Sequence, residues 1–436
     1  GSTIMGYAGI CAPNVQFGSD AYFHYVNIRD ITANVKSGVS SSCPTIIPFS
    51  NNAPVITPIK DYIIPMSTPF VLTGSATDAD GDVLNYTWEQ NDPESSSQAN
   101  TATPTAFKTS GPVFRSIEGS TKSFRFFPNK NTILAGQTSN TWEVLPAVSR
   151  VLNFALTVRD NVAGGAQTAT DEMKVTVSNL SGPFIITSQN TTVSYPAGSN
   201  QTITWEVAST DQAPVNARFV DIYLSTDNGS SFPILLASKV PNDGSEIVTI
   251  PNSIGNNNQI MVRGFDSIFF DISNTTFTIT DPLDYFALSF SGIEGEQNKS
   301  VCKTGSLTFS MPFSIFDGTL APVTFTALNL PAGMTATFTP EQATLNSNVV
   351  LTLTTSNLII PDLYKITVQA TSGSTVKIVN IYTDILNNQF SEINLISPIN
   401  GTTVSPDNVI FNWSDSNGAT LYQIQIATDP NINTII

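Results

Sequence analysis

Histidine is almost missing from this chain: His24 is the only one in 436 residues. A zinc site built on three imidazoles therefore cannot be assembled from these residues alone. His24 falls in a helix-forming stretch and reads as a helix-surface or packing residue, so no Ser-His-Asp or Cys-His arrangement is evident. Charge is also scarce. Asp, Glu, Lys and Arg make up 12% of the chain, against a usual share of about 25%. Basic residues are the scarcer sign, 18 against 34 acidic, giving a net charge of −16. They form no cluster, which excludes phosphate-backbone recognition and so nucleic acid as a partner. No apolar run approaches the ~18 residues of a membrane-spanning helix, and no Gly-rich phosphate loop is present.

Cysteine is limited to three residues. A bridge between Cys11 and Cys43 would close a loop of about 30 residues, contribute roughly 3–4 kcal/mol and imply an oxidising compartment. Cys302 stands alone and reads as a buried, inert thiol in a strand. Hydrophobic residues reach 40%, rich in Val, Ile and Phe, so the chain has the material for cores and is not disordered. With few charges, the surface falls to Asn, Ser and Thr, as in many extracellular β-proteins. The acidity has two readings, solubility outside the cell or Asp residues that ligate calcium.

Residues 1–46 differ from the rest. After a Gly-rich opening, Ser19-Asp20 can cap a helix whose face carries Phe23, Val26, Ile28, Ile31 and Val35, with Lys36 and Gly38 to end it. It is the only helix the pattern supports. From Asn51 onward short alternating runs are separated by Gly, Pro, Asn and Asp, the pattern of β-sandwiches. Tyr86-Thr-Trp88, Ile203-Thr-Trp205 and Phe411-Asn-Trp413 each place an apolar residue and a Trp on one strand face. Trp88 and Trp205 are 117 residues apart, and Trp413 follows after 208, two steps of 104. Between them Leu307, Phe309 and Met311 alternate where a Trp strand would fall. The expected fold is mostly β: a short α-containing segment over 1–46, then tandem immunoglobulin-like sandwich modules. These are a cadherin- or PKD-like module with a long insertion over residues 53–178, immunoglobulin-like modules over 183–280 and 284–386, and a truncated fibronectin type III-like module over 391–436. Residues 90–145, with Arg115, Arg125, Phe127 and Trp142, are too long for a hairpin connection and read as an insertion, functional or decorative.

The opening Ser2-Thr-Ile-Met5-Gly-Tyr7-Ala-Gly-Ile-Cys11 resembles the Met-turn of bacterial reprolysin-like metzincin zinc proteases. Ser19-Asp-Ala-Tyr-Phe-His-Tyr-Val-Asn-Ile-Arg-Asp-Ile31 is similar to the closing helix of their catalytic domain. Leu72-Thr-Gly-Ser-Ala-Thr-Asp-Ala-Asp-Gly-Asp82, Phe114-Arg-Ser116, Trp142-Glu-Val-Leu-Pro146 and Leu156-Thr-Val-Arg-Asp-Asn161 resemble the module that follows it. The resemblance covers residues 1–180. It implies that Met5 forms the apolar floor beneath zinc-bound imidazoles. Tyr7 becomes either a zinc or transition-state ligand or a wall residue, and Ala8, Gly9 and Ile10 line a substrate pocket. It also implies a parent protein that hydrolyses peptide bonds in extracellular proteins. A H-E-x-x-H-x-x-G-x-x-H motif would lie roughly 20–80 residues before Met5, so the chain reads as an internal fragment without activity of its own. The alternative is a cell-surface adhesin or scaffold whose whole function is binding.

Asp78-Ala-Asp80-Gly-Asp82 brings hard oxygen ligands together in a turn, with Asp160 on a later strand as a further partner. This suits calcium or a solvated acidic turn. The spacing to Glu89 imitates an EF-hand, but Val83 stands where that loop needs Gly, and strand alternation follows. The turn is closer to those of cadherin-like and PKD-like modules. Expected partners are protein or peptide substrates and extracellular polymers, and the expected location is secreted or cell-surface.

Overall fold

The computed structural model describes residues 2–10, 14–43, 45, 47, 50–94, 103–316, 321–387, 392–404, 409–414, 422, 424 and 426. The chain falls into two compact units, Gly1–Glu296 with Ser314–Gly318, and Gln297–Phe313 with Thr319–Ile436. The fold is mostly β, with tandem sandwiches preceded by a short helical segment.

In the first unit the helix Tyr25–Ser37 ends at Gly38, whose N–H reaches Ala33 O and Asn34 O, with Lys36 in the last turn. It starts later than Ser19-Asp20 implies. The cap is His24, whose Nδ1 accepts the amide of Val26 at 3.2 Å. Glu89 of the first sandwich sets this start by accepting the amide of Tyr25 at 2.7 Å, so one orphan donor of the first turn is satisfied from outside the helix. Tyr25 is the buried residue of this helix, while Ile31 and Val35 are exposed, contrary to the expected apolar face. A second short helix, Lys130–Leu134, is capped by Asn129 and was not expected.

One sheet of the first sandwich runs Tyr62–Pro65, Thr168–Ser178, Arg150–Arg159, Asn85–Gln90. Alternation along Arg150–Arg159 sends Leu152, Phe154, Leu156 and Val158 inward. Ala155 and Thr157 are buried too, on the opposite face, because the N-terminal segment covers it with Tyr22 and Tyr25. The strand therefore reads as a nearly continuous apolar run instead of a clean alternation. Residues 90–145, of which 95–102 lie outside the described residues, contribute to the core. Phe124–Phe127 pairs with Phe70–Thr73. Phe127 stacks on Phe70 at 5.0 Å and meets Phe114 and Phe154 edge-on at 5.1 and 4.9 Å. Four rings in these geometries form the centre of the core.

The second sandwich sets Ile185–Ile186, Asn200–Glu206 and Ser245–Thr249 against a larger sheet centred on Gly255–Gly264 and Phe219–Ser225. Trp205 is buried, and its indole N–H donates to Asn242 Oδ1 at 2.8 Å. The two sandwiches share a seam. Val71 N donates to Ile268 O at 2.9 Å and Phe270 N to Pro69 O at 3.0 Å. Beside these bonds Val71, Ile133, Met261, Phe270 and Ile272 form one buried apolar cluster. Backbone bonds and a common core across a module junction make it a rigid joint and not a tether.

In the second unit Ser306–Ile315, Ser347–Thr355 and Met334–Thr339 form one sheet. Asn298–Cys302, Thr375–Leu386, Leu363–Ser372, Val323–Leu328 and Gln342–Ala343 form the other. Phe309 and Met311 are buried where alternation placed them. Cys302 does lie in a strand, but it is exposed instead of buried, because it shares the outward face of Asn298–Cys302 with exposed Ser300. Leu395–Ser397 pairs with Asn412–Trp413. Among the described residues no helix is long and apolar enough to cross a membrane.

Candidate metal site and the N-terminal turn

The opening residues form a real turn. Ile4–Gly6 is a single 3-10 turn, followed by Tyr7 in the left-handed region at φ 51. Gly9 has φ 78, and a Cβ there would stand 2.5 Å from Phe17 O, so only Gly fits. Buried Ser2 and Thr3 anchor the turn. Ile4 N donates to Tyr22 O at 3.1 Å, Asp20 N to Ser2 O at 2.7 Å, and Ser2 Oγ to Ser116 O at 3.3 Å. The turn projects Met5, 55% exposed, and Tyr7, 75% exposed, into solvent, with Gly9 and Ile10 also exposed and Ala8 intermediate. Cys43 is an exposed free thiol, and Cys11 lies outside the described residues.

The acidic turn does converge. Carboxylate oxygens of Asp78, Asp80 and Asp82 lie within 4.8 Å of one another. Asp78 Oδ1 accepts the amides of Asp80 at 2.8 Å and Asp82 at 3.4 Å, while its Oδ2 is buried without a hydrogen-bond partner. Asp80 accepts Asn52 N at 2.7 Å and Asn52 Nδ2 at 3.1 Å. Asp82 is held above the ordinary carboxylate range, first by desolvation and then by the charges of Asp78, Asp80 and Asp160. Asp160 adds its charge but stands outside the three-residue group. Its oxygens accept Gln167 N, Val162 N and Asn51 Nδ2. Desolvation pushes the Asp160 carboxyl up, and these hydrogen bonds outweigh it and hold the group below the usual range. The chemistry on offer is a cluster of hard, anionic oxygens, suited to a divalent cation such as calcium.

Sequence reasoning missed a second ionisable cluster. Glu89 is fully buried beneath the N-terminal segment, with His24 Nε2 3.7 Å from its Oε1. Arg159 donates to Thr87 Oγ1 at 2.7 Å and to Phe23 O at 3.0 Å, tying the same segment down. Deeper in, Arg125 pairs with Glu143 at 2.8 Å. The available signal was the alternation of Tyr86-Thr-Trp88-Glu89, which turns Glu89 away from the Trp side. Nothing in that pattern reveals that the outer face is covered.

No family model matches this chain, and no curated protein does. Among solved structures it is similar to the N-terminal eight immunoglobulin domains of the Down syndrome cell adhesion molecule. The identity is 11% and the TM-score 0.19, over 80% of this chain and 43% of that one. A four-domain fragment of Dscam1 isoform 7.44 gives 14% identity and a TM-score of 0.22 over 79% and 80%. Domains 1–6 of the surface layer protein SbsC give 13% and 0.17 over 80% and 42%. Superpositions this loose define no common architecture.

Proposed function

We propose that this chain is the binding and spacing part of a secreted or cell-surface protein, with modules over 53–178, 183–280, 284–386 and 391–436 that meet extracellular polymers or proteins. The observation that carries this is the seam between the first two sandwiches, where backbone hydrogen bonds join Pro69–Val71 to Ile268–Phe270. A rigid joint keeps surfaces on successive modules in fixed register, which a binding scaffold needs. The low charge and the Ser-, Thr- and Asn-rich surface support an extracellular setting. Calcium at Asp78, Asp80 and Asp82 would neutralise a crowded anionic turn and fix the start of the first sandwich through Asn52. One preparation tests both points. Calcium is expected to raise the melting temperature, with Asp80→Asn abolishing the rise, and a panel of insoluble extracellular polymers is expected to retain the chain. Retention on none of them would sink the binding reading, and a melting temperature indifferent to calcium would sink the metal site.

A second reading rests on the exposed Met5 and Tyr7. A formed turn that projects Met5 and Tyr7 outward supports a zinc endopeptidase parent in which Met5 floors a metal site built by residues outside this sequence. The native secreted protein is then expected to degrade casein and to lose that activity with a zinc chelator. Chelator-resistant cleavage, or none, removes this reading.

A further inference from the structure

On a chain with 18 basic against 34 acidic residues, one cleft at the seam of the first two sandwiches gathers cations and aromatic rings. The first sandwich supplies Lys60, Asp61 and Tyr62, and the second supplies Asn216, Arg218, Phe219, Phe265 and Asp266, with Asp61 accepting the amide of Lys174 at 2.7 Å and Asp266 paired with Lys60. Its volume is about 480 Å³. A smaller hollow of about 290 Å³ beside it shares Lys60 and Tyr62 and adds Arg263.

Each ring is flanked by a cation. Lys60 Nζ stands 5.1 Å from the Tyr62 ring centre and the Arg218 guanidinium 5.7 Å from that of Phe219. Lys239 Nζ lies 5.8 and 5.7 Å from Phe219 and Phe265. Lys60 also pairs with Asp266 at 2.6 Å, across the seam and largely in solvent, where such a pair contributes little stability. Arg218 is exposed and has no carboxylate within ion-pair distance among the described residues.

We infer that this cleft binds an acidic linear polysaccharide, one whose sugar rings carry carboxylate or sulfate groups. The inference names a ligand for the binding function proposed above and rests on it. Arg218 offers a planar fork for an anionic group, and Lys60 a second charge that can leave Asp266 for it. The partly exposed rings of Phe219, Phe265 and Tyr62, with the cations beside them, add apolar contact for the C–H groups of the sugars. Asn216 and Asp266 accept hydrogen bonds from hydroxyl groups, which an acidic peptide does not supply in number. A neutral glycan would leave Arg218 without a charged counterpart.

The test is calorimetric titration of the full chain with four probes of equal length: a polygalacturonate oligosaccharide, a sulfated galactan oligosaccharide without carboxylates, a neutral malto-oligosaccharide and poly-glutamate. At least one acidic oligosaccharide is expected to bind at least tenfold tighter than the neutral one, and to weaken several-fold as salt rises from ~0.05 to ~0.3 M. Which of the two acidic oligosaccharides binds better separates carboxylate from sulfate as the recognised group. Arg218→Glu is expected to remove this binding with an unchanged melting temperature, and Arg218→Lys to recover part of it. Equal binding of acidic and neutral probes, equal binding of poly-glutamate, or acidic-probe binding untouched by Arg218→Glu would overturn the assignment. Retention of the variant on other extracellular polymers would leave the general binding function standing while this cleft fails.

Discussion

Asp271→Asn is expected to stabilise the joint between the first two sandwiches at neutral and alkaline pH, and to change little in acid. Asp271 lies in Phe270–Ile272, the strand that enters the seam, and its Oδ2 accepts Ile186 N at 2.7 Å. Burial pushes its carboxyl up to about 7 from an ordinary 3.8, and backbone hydrogen bonds from Ile186 and Ile272 only partly offset this. The folded state therefore holds the proton more tightly than the unfolded chain. Stability from this group is complete below pH ~4, falls as pH rises toward 7, and is fully lost above it. At 1.36 kcal/mol per unit, the accumulated penalty is on the order of 4 kcal/mol. Asn keeps an oxygen to accept Ile186 N and has no charge to bury. Melting curves of wild type and Asp271→Asn at about pH 4.5 and pH 8 check this. A gain of several degrees at the higher pH only is the expected result. An equal effect at both pH values would mean that Asp271 does not carry a buried charge.

How much of this was legible in the sequence depends on how local each cause is. Trp88, Trp205 and Phe309 are buried on the strands that alternation placed them in, because side-chain period and core face are set within six residues. The three sandwiches also repeat a feature no local pattern encodes. Tyr62–Pro65, Ser194–Pro196 and Asn298–Cys302 each pair in parallel with the last strand of their own module. Partners more than 80 residues apart leave no mark on either strand. The helix start was misread for the same reason, since Glu89, distant in sequence, decides it. Cys302 was placed inside because Cys is often buried, and the register of one short strand overrode that tendency. At the acidic turn, the convergence of Asp78, Asp80 and Asp82 follows from spacing alone. The withdrawal of Asp160 into bonds with Asn51, Val162 and Gln167 does not.

The long segment between residues 90 and 145 is where that limit matters most, and Arg125 gives it a measurable consequence. Phe124–Phe127 alternates so that Phe126 faces the seam cluster and Arg125 and Phe127 face the sandwich interior. An Arg there must find partners. Its guanidinium donates to Trp88 O at 2.7 Å, Arg115 O at 2.6 Å and Glu143 Oε1 at 2.8 Å. Glu143 in turn accepts Asn129 N at 2.9 Å and Asn129 Nδ2 at 2.7 Å, which fixes the cap of Lys130–Leu134. Burial lowers the Arg125 affinity for its proton, and the Glu143 charge partly restores it. Arg125→Met removes three hydrogen bonds and leaves Glu143 buried as an uncompensated charge, at a cost of about 3–5 kcal/mol. Adding Glu143→Gln to that variant removes the stranded charge while still accepting from Asn129. The double variant is therefore expected to be more stable than Arg125→Met alone, with a coupling energy above ~2 kcal/mol in a double-mutant cycle followed by urea unfolding. Additive losses would show that the pair does not act as a unit. The long segment would then be held by its aromatic strand alone, with Phe127 against Phe70 carrying what the ion pair does not.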